Sequence, residues 1–496
     1  MPLVLSCAPR LFLLLVVALV ISLAYGNGRP ALAAAFIIDS TGDLGDATPG
    51  DGACDIGWGP CTLRAAIQEA NALAGADSIS LPAGTYTLDI AGAGEDAAAT
   101  GDLDITGDLT LTGAGAGETV IDGGGLDRVF HIIGSVQITG VTIRNGLGDE
   151  TNGGGGILNW QSLTLVRSAV TGNETPLAGG GIHNTGTMVI RESTIDSNHS
   201  QMDEGGIFNR EGATLEIVAS TVSNNRADRY TGGITNYATL SLVSTTISGN
   251  EAPLGGGVQN LGEGQMTATN STIAFNEGGG EGGLRNTGGD ATITNTIIAG
   301  NSGDQCLQAS GGSLTSNGHN LAGDDTCDLT GPGDLSNIAN PMLGPLADNG
   351  GPTQTHALLP GSPAIDAGSP DCPPPATDQR GVARPQGPAC DIGAFEAPAG
   401  GRIWGDVHCD GAVDSVDSLG DLRYLAHLPP LPHAAGCPEI GGMMEVTGFS
   451  PHAWGDVDCD TDVNSIDALR ILRYVAHLSL TPIAGCPDVG ADVTIS

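Results

Sequence analysis

Two stretches near the C-terminus carry side chains spaced for chemistry. WGDVHCDGAVDSVDSLGDLRYLAHL (residues 404–428) nearly recurs fifty residues on as WGDVDCDTDVNSIDALRILRYVAHL (454–478). In the first, Asp406, His408, Asp410, Ala412, Asp414 and Asp417 occupy positions 1, 3, 5, 7, 9 and 12 of a loop. In the second, the same positions hold Asp456, Asp458, Asp460, Asp462, Asn464 and Asp467. An EF-hand-type loop presents oxygen to Ca²⁺ at this spacing, with a backbone carbonyl at the seventh position and often a water at the ninth. Two calcium ions are therefore expected. His408 offers imidazole where a hard cation prefers oxygen, so the second site should be the tighter one. Gly411 suits the sharp turn at position six, where the second loop has Thr461. A pair of acidic helix N-caps without an ion accounts less well for ligand spacing that is kept twice.

A second candidate lies upstream in SNGHNLAGDDTCD, with His319, Asp324 and Asp325. An imidazole beside paired carboxylates could serve acid–base chemistry, and the set resembles the His and paired Asp of polygalacturonases. Glycoside hydrolysis requires two carboxyls about 5–9.5 Å apart. The stretch lies between Cys306 and Cys327, has no companion basic motif, and reads more simply as polar turns in a stapled loop. No catalytic set is assigned, and these three residues remain candidates only. His183, His199 and His356 read as surface or loop histidines.

Each Asp-rich loop runs into an amphipathic helix, with Leu419, Leu422 and Leu425 on one and Leu469, Leu472 and Val475 on the other. The middle of the chain is built differently. A glycine cluster ending in an apolar residue, any residue and Asn recurs at Asn159, Asn184, Asn209, Asn236, Asn260 and Asn286. A second series falls at Asn173, Asn198, Asn225, Asn250, Asn276 and Asn301, each after a short β-branched run. A period near 25 residues, with strand-like pieces and no helical pattern, predicts stacked coils of parallel β-strand. Ile157, Ile182, Ile207, Ile234, Val258 and Leu284 should stack inside, as should Ile195, Val222, Ile247 and Ile273. The asparagines should form ladders at the turns, and the glycines should allow tight corners at positive φ. CTLRAAIQEANALAG places Leu63, Ala66, Ile67, Ala70 and Leu73 on one face, a capping helix expected over 62–75.

The 496 residues include 79 glycines and no lysine, and the net charge is −39. That charge argues against nucleic acid or an anionic membrane surface as partner. Arg10, the apolar run Leu11–Ala24 and the A-x-A sites at Ala31–Ala33 or Ala33–Ala35 read as a signal peptide over 1–35. The apolar run is shorter than the ~20 residues of a spanning helix. No membrane segment is expected after its removal, and the protein should be secreted, extracellular or at the cell surface. Ten cysteines then remain. They fall in local couples, Cys54/Cys61, Cys306/Cys327, Cys372/Cys390, Cys409/Cys437 and Cys459/Cys486, and suit an exported, disulfide-stapled chain. Sequence leaves the connectivity open.

CDIGWGPCTLRAAIQEANA with ISLPAGTYTL resembles the N-terminal signature of CSLREA-type right-handed β-helix proteins. NPMLGPLADNGGPTQTHALLPGSPAIDAG…DQRGVARPQGPACDIGAFE (340–396) resembles the choice-of-anchor Q domain. The repeated Asp loops with LRYLAHL resemble dockerin type I repeats. These resemblances imply a mainly β protein: a right-handed parallel β-helix, a pectin-lyase-like solenoid, over 36–330, and an anchor-type C-terminal part of the solenoid over 331–396. A linker at 397–401 and a small α-helical, calcium-binding dockerin-like pair over 402–490 would follow. By the dockerin resemblance, Ser415, Val416, Ser465 and Ile466 would face a cohesin-like or cell-surface partner. The function expected is non-catalytic binding of surface or matrix carbohydrate or protein. The alternative is a polysaccharide lyase or glycoside hydrolase recruited by its dockerin to a polysaccharide-catabolic complex.

Overall fold

A computed structural model describes residues 33–398 and, beyond them, 402–403, 405–407, 413, 415–428, 440–441, 443–444, 451–483 and 486–493. Most of the expected leader lies outside the described residues, as do His408, Asp410, Ala412 and Asp414 and residues 399–401 of the expected linker.

From Ala35 to Ala322 the chain winds as a right-handed parallel β-helix. Its first sheet has eleven strands, beginning at Ala35–Ile37 and ending at Ser313–Ser316. A second has nine, from Leu103–Ile105 to Asp304–Ala309, and a third ten, from Gly84–Thr87 to Leu321–Ala322. A short five-stranded sheet runs from Glu174–Thr175 to Glu277–Gly278. Every pairing within these four sheets is parallel and joins residues one coil apart, such as Ile157 with Ile182 and Ile182 with Ile207. Ile234, Val258 and Leu284 continue that inner column, and Ile195, Val222, Ile247 and Ile273 form another. One coil has no apolar side it can bury alone. Stacking joins these residues into a single core.

Both asparagine ladders are present. Asn159, Asn184, Asn209, Asn236 and Asn260 each donate an amide N–H to the side-chain carbonyl of the next, ending on Asn286, at 2.7–2.9 Å. The series from Asn173 to Asn301 does so at 2.9 Å throughout. All are buried. Replacing Asn209 with alanine strands Asn184 and Asn236 inside the column and should lower stability by about 1–3 kcal/mol. A denaturant midpoint equal to that of the unmutated protein would contradict an energetic role for the ladder. A hydroxyl ladder accompanies it, with Ser168 N bonded to Ser193 Oγ and Ser193 N to Ser220 Oγ.

Some glycines make corners at positive φ as expected, among them Gly153, Gly154 and Gly179 of the first two clusters and Gly172, Gly249 and Gly300 between clusters, with φ of 62–70°. The two glycines just before the apolar residue of each cluster, such as Gly205 and Gly206, do not. Several corners in that region are made by Arg167, Glu192, Ala219 and Ser244, with φ of 45–49°. The glycine pairs instead let coils approach: a Cβ on Gly205 would stand 2.4 Å from Arg226 O, and one on Gly206 2.5 Å from Gly233 O.

Helix α1 spans Leu63–Ala72, three residues shorter at its C-terminal end than expected, with Thr62 as N-cap accepting from Ala65 N. Leu63, Ala66, Ile67 and Ala70 join the main core. Asn71 bonds to Asp104 O and Thr106 N, so α1 closes the edge beside Leu103–Ile105. Cys54–Cys61 staples the approach to α1, and Cys306–Cys327 lies at the far end of the column.

Residues 332–338 still stack in parallel on the last coil, through the bridge of Leu335 to Leu321, but residues 339–396 add no further coil, unlike the solenoidal expectation for the segment 331–396. Its two strands, Leu343–Ala347 and Thr355–Leu358, form an antiparallel hairpin. The segment is proline-rich and so poorly suited to a central parallel ladder. It folds back along the third sheet, whose outward hydroxyls it satisfies: Thr221 donates to Gln354 O, Thr246 to Gln379 Oε1, and Thr272 accepts from Ala394 N. Ile297, Leu358, Ile392 and Phe395 pack between them, and Cys372–Cys390 closes the segment. Arg384 and Glu396 pair at 3.1 Å with no exposure of either side chain.

In the tail, α2 (Ser415–Leu425) packs against α3 (Ser465–Val475), and Ser418 Oγ donates to Ala468 O. Arg402–Ile403 pairs antiparallel with Asp492–Val493, so the module reaches past residue 490. Cys459–Cys486 staples the second loop. Among the described residues, four of the five expected cysteine couples therefore form disulfides. The fifth couple, Cys409 and Cys437, lies outside the described residues.

Candidate functional site

The second Asp-rich loop gathers Asp456, Asp458 and Asp467, each with a carboxylate oxygen within 4.8 Å of the others. Asp467 Oδ1 accepts from Val457 N and Asp458 N, and Asp467 Oδ2 accepts from Asn464 N. Asn464 caps α3 by accepting from Ile466 N. The capping box and the carboxylate cluster thus coexist in one loop. Burial pushes Asp467 up to about 6, and the charges of Asp458 and Asp456 add to it. Asp456 is raised mainly by the same cause. An all-carboxylate donor set with crowded like charges fits a hard divalent cation. Asp460 and Asp462 are exposed, and Asp460 Oδ1 accepts from Asp462 N. Thr461 takes the sharp turn at φ 83°.

Of the first loop, Asp406 and Asp417 are described, and both are buried. Val407 N donates to Asp417 Oδ1 at 2.7 Å, matching the 2.9 Å bond from Val457 N to Asp467 Oδ1. Asp421, which sequence reading passed over, lies buried between the helices and is pushed up to about 9 by burial, then by Asp467 and Asp417. The leucines read as the helices' apolar stripes are largely exposed: Leu419 and Leu422 on α2, Leu469 and Leu472 on α3. Ser415, Val416, Ser465 and Ile466 are exposed beside them.

Of the candidates His319, Asp324 and Asp325, the first two are engaged in structural hydrogen bonds. Asp324 Oδ2 accepts from Gln305 N and Oδ1 from Thr326 N and Oγ1, fixing the Cys306–Cys327 loop. His319 Nδ1 faces Ala367 O, and the Asp325 carbonyl accepts a turn bond from Asp328 N. Of the histidines expected at the surface, His183 and His356 are buried.

Charged and aromatic groups converge elsewhere, on the outer face of the second sheet. Asp102, Asp104, Asp127, Arg128 and His131 are all buried there. His131 Nδ1 lies 3.0 Å from Asp104 Oδ1 and 3.5 Å from Asp96 Oδ1. Arg128 pairs with Asp149, and its Nε stands 3.2 Å from Asp102 Oδ2 but out of line for a hydrogen bond. Burial, with Asp104 beside it, pushes Asp102 up to about 8. Further along, His183 Nδ1 meets Asn152 O, and burial pushes this imidazole down to about 4. Glu204 is pushed up to about 8 by burial, then by Asp203, and its Oε2 has no hydrogen-bond partner.

Rings run along the same face. Trp160 stands edge-on to His131 at 4.4 Å between centroids, His183 lies 4.8 Å from Phe208, and Phe208 is edge-on to Tyr237 at 5.9 Å. Trp160, Tyr230 and Tyr237 are each more than a third exposed. The six coils from Leu103–Ile105 to Ile234–Asn236 extend over about 24 Å at ~4.8 Å per strand. Sequence reading missed this strip. Its one signal was an aromatic at related repeat positions, Trp160 after Asn159 and Tyr237 after Asn236.

No protein-family model matches this chain, and no curated protein matches it. Among solved structures, the pectate lyase Pel9A is similar over 74% of this chain and 97% of its own, at 15% identity and a TM-score of 0.44. The A-modules of the Azotobacter vinelandii mannuronan C-5 epimerases AlgE6 and AlgE4 are similar over 58% and 61% of this chain, and over 93% and 97% of their own. Their identities are 16% and 17%, with TM-scores of 0.31 and 0.34. These likenesses concern the fold alone. Among the described residues no helix is long and apolar enough to cross a membrane, and four disulfides are present, as suits an extracellular protein.

Proposed function

We propose that this is an extracellular, non-catalytic polysaccharide-binding β-helix with a calcium-dependent attachment module at its C-terminus. The strip of Trp160, Phe208, Tyr230 and Tyr237 carries this reading. Aromatic faces bind the apolar C–H faces of sugar rings, and their polar edges tolerate water. The net charge of −39 favours a neutral glycan over a polyanionic one. The neighbouring acids support the strip's backbone more than they serve a substrate: Asp104 Oδ2 accepts from Ala98 N, and Asp102, Asp104 and Asp127 lie beneath loops. A general acid must reach the proton it transfers.

The tail reading rests on the Asp456–Asp458–Asp467 cluster for calcium and on the exposed leucines of α2 and α3 for docking. Paired apolar stripes left open in this way suit a protein partner, cohesin-like or on a cell surface. Polysaccharide cleavage is the second reading, favoured by Glu204 and Asp102, whose burial keeps them protonated at neutral pH as a general acid would be.

Glycan-array screening of the full chain, followed by calorimetry, tests the choice. Trp160→Ala and Tyr237→Ala should each weaken binding about 5- to 10-fold, the loss of ~1–1.5 kcal/mol of ring contact. Unaltered affinity in both variants would remove the strip from the proposal. Reducing ends or unsaturated sugars released by the protein, and abolished by Glu204→Gln, would establish the enzymatic reading in its place.

A further inference from the structure

We infer that the leader is cut between Ala33 and Ala34, and that the α-ammonium so formed seats on Asp77. Asp77 lies in the strand Ala76–Leu81 and is only 2% exposed. Its Oδ1 accepts from Ala34 N at 2.7 Å, while its Oδ2 has no partner. An ionised carboxylate has about four acceptor sites, and a buried one with a single neutral amide donor is poorly satisfied. A backbone amide at Ala34 can offer one proton. An ammonium at the same nitrogen offers three and brings the opposite charge.

The two small-x-small triplets, Ala31-Leu32-Ala33 and Ala33-Ala34-Ala35, are not equivalent in the fold. Ala34 O accepts from Ser78 N at 2.9 Å, and Ala35 pairs with Ser78 in the first sheet. Cutting after Ala35 would remove the donor to Asp77 and the acceptor for Ser78, and shorten the edge strand. Cutting after Ala33 leaves all of these in place. Ala33 is exposed and Ala34 half-buried, so the bond lies where the chain enters the folded body. In the hydrolysis the C–N bond between Ala33 and Ala34 breaks. Water supplies hydroxyl to the Ala33 carbonyl carbon and a proton to the Ala34 nitrogen. At neutral pH Ala33 loses its carboxyl proton and the Ala34 amine takes up another, giving the ammonium. An export-associated peptidase is the catalyst required.

The N-terminal sequence and intact mass of the exported full chain test the cut. Ala-Ala-Phe-Ile-Ile is the expected start, whereas a start at Phe36 or a retained leader overturns the assignment. The ion pair has its own test, using the chain released at Ala34 with a free or an acetylated amine. The free form should melt several degrees higher, and Asp77→Asn should erase the difference. Equal midpoints for the free and acetylated forms would overturn the ion pair even if the cut is right.

Discussion

Replacing Arg64 with leucine is expected to unseat helix α1 and to cost about 3–5 kcal/mol, the penalty for leaving a buried charge without its partner. Arg64 has no exposed side-chain surface and Asp43 has almost none. Nε and Nη2 of Arg64 grip the two oxygens of Asp43 at 2.8 and 3.0 Å. The remaining N–H groups reach Ala98 O, Asp102 O and Gly101 O at 2.8–3.2 Å. Asp43 also accepts from Asp89 N and Ile90 N. One side chain therefore ties α1 to the segment before it and to the loop that lies over the acidic cluster. Its loss should uncover the strand edge and promote association as well as lower the denaturation midpoint. Replacing Arg64 and Asp43 together with apolar residues should recover part of the loss, because the stranded charge goes too. A single variant with an unchanged midpoint would mean that apolar packing alone holds the cap.

Calcium should stabilise the tail by about 2.7 kcal/mol at a hundredfold excess over its dissociation constant, with the second loop filling first. Asp456, Asp458 and Asp467 already converge there, and position three of the first loop is His408. Asp456→Ala should abolish most of the calcium-dependent gain, and Asp406→Ala a smaller part. Calorimetric titration of the full chain, with differential scanning in calcium and in chelator, reads both. Chelation should loosen the tail but leave the transition of the column in place, since the column's core contains no residue of the loops. The Cys459–Cys486 bridge should preserve part of the tail without metal. No calcium uptake, or a first loop that binds more tightly, would sink the ligand assignment.

The parts of this molecule that repeat were legible in its sequence. Isoleucine columns and asparagine ladders leave a mark every 25 residues or so, because each residue meets its own counterpart. Groups that act once were harder to read. Arg64 on an apolar helix looks like a solvent-facing residue until Asp43 and three carbonyls surround it. Trp160, Phe208 and Tyr237 become neighbours only after the coils stack. His319, Asp324 and Asp325 are near along the chain, and in the fold Asp324 and His319 bond to groups of the neighbouring loops. For the cysteine couples, nearness along the chain does pair Cys54 with Cys61, Cys306 with Cys327, Cys372 with Cys390 and Cys459 with Cys486. The proline-rich segment from 331 was expected to continue the solenoid, yet its hairpin pairs antiparallel and its polar groups answer hydroxyls more than a hundred residues away. The glycine clusters do supply residues at positive φ, yet the last two glycines of each are held by a second cause: there the space between coils, not the corner angle, excludes a side chain.

The one-coil offset of the parallel ladders also governs how the chain can acquire its shape. Each added coil closes a loop of similar length, so the entropic cost is nearly constant from coil to coil. Growth can then propagate from a formed end. The cap and the first strands are also the first to emerge from a ribosome or an export channel. Coils can be laid down on that floor in the order of their appearance. The segment that spans Thr221, Thr246 and Thr272 must wait until those coils exist, which makes docking of the flank the last step in completing the column.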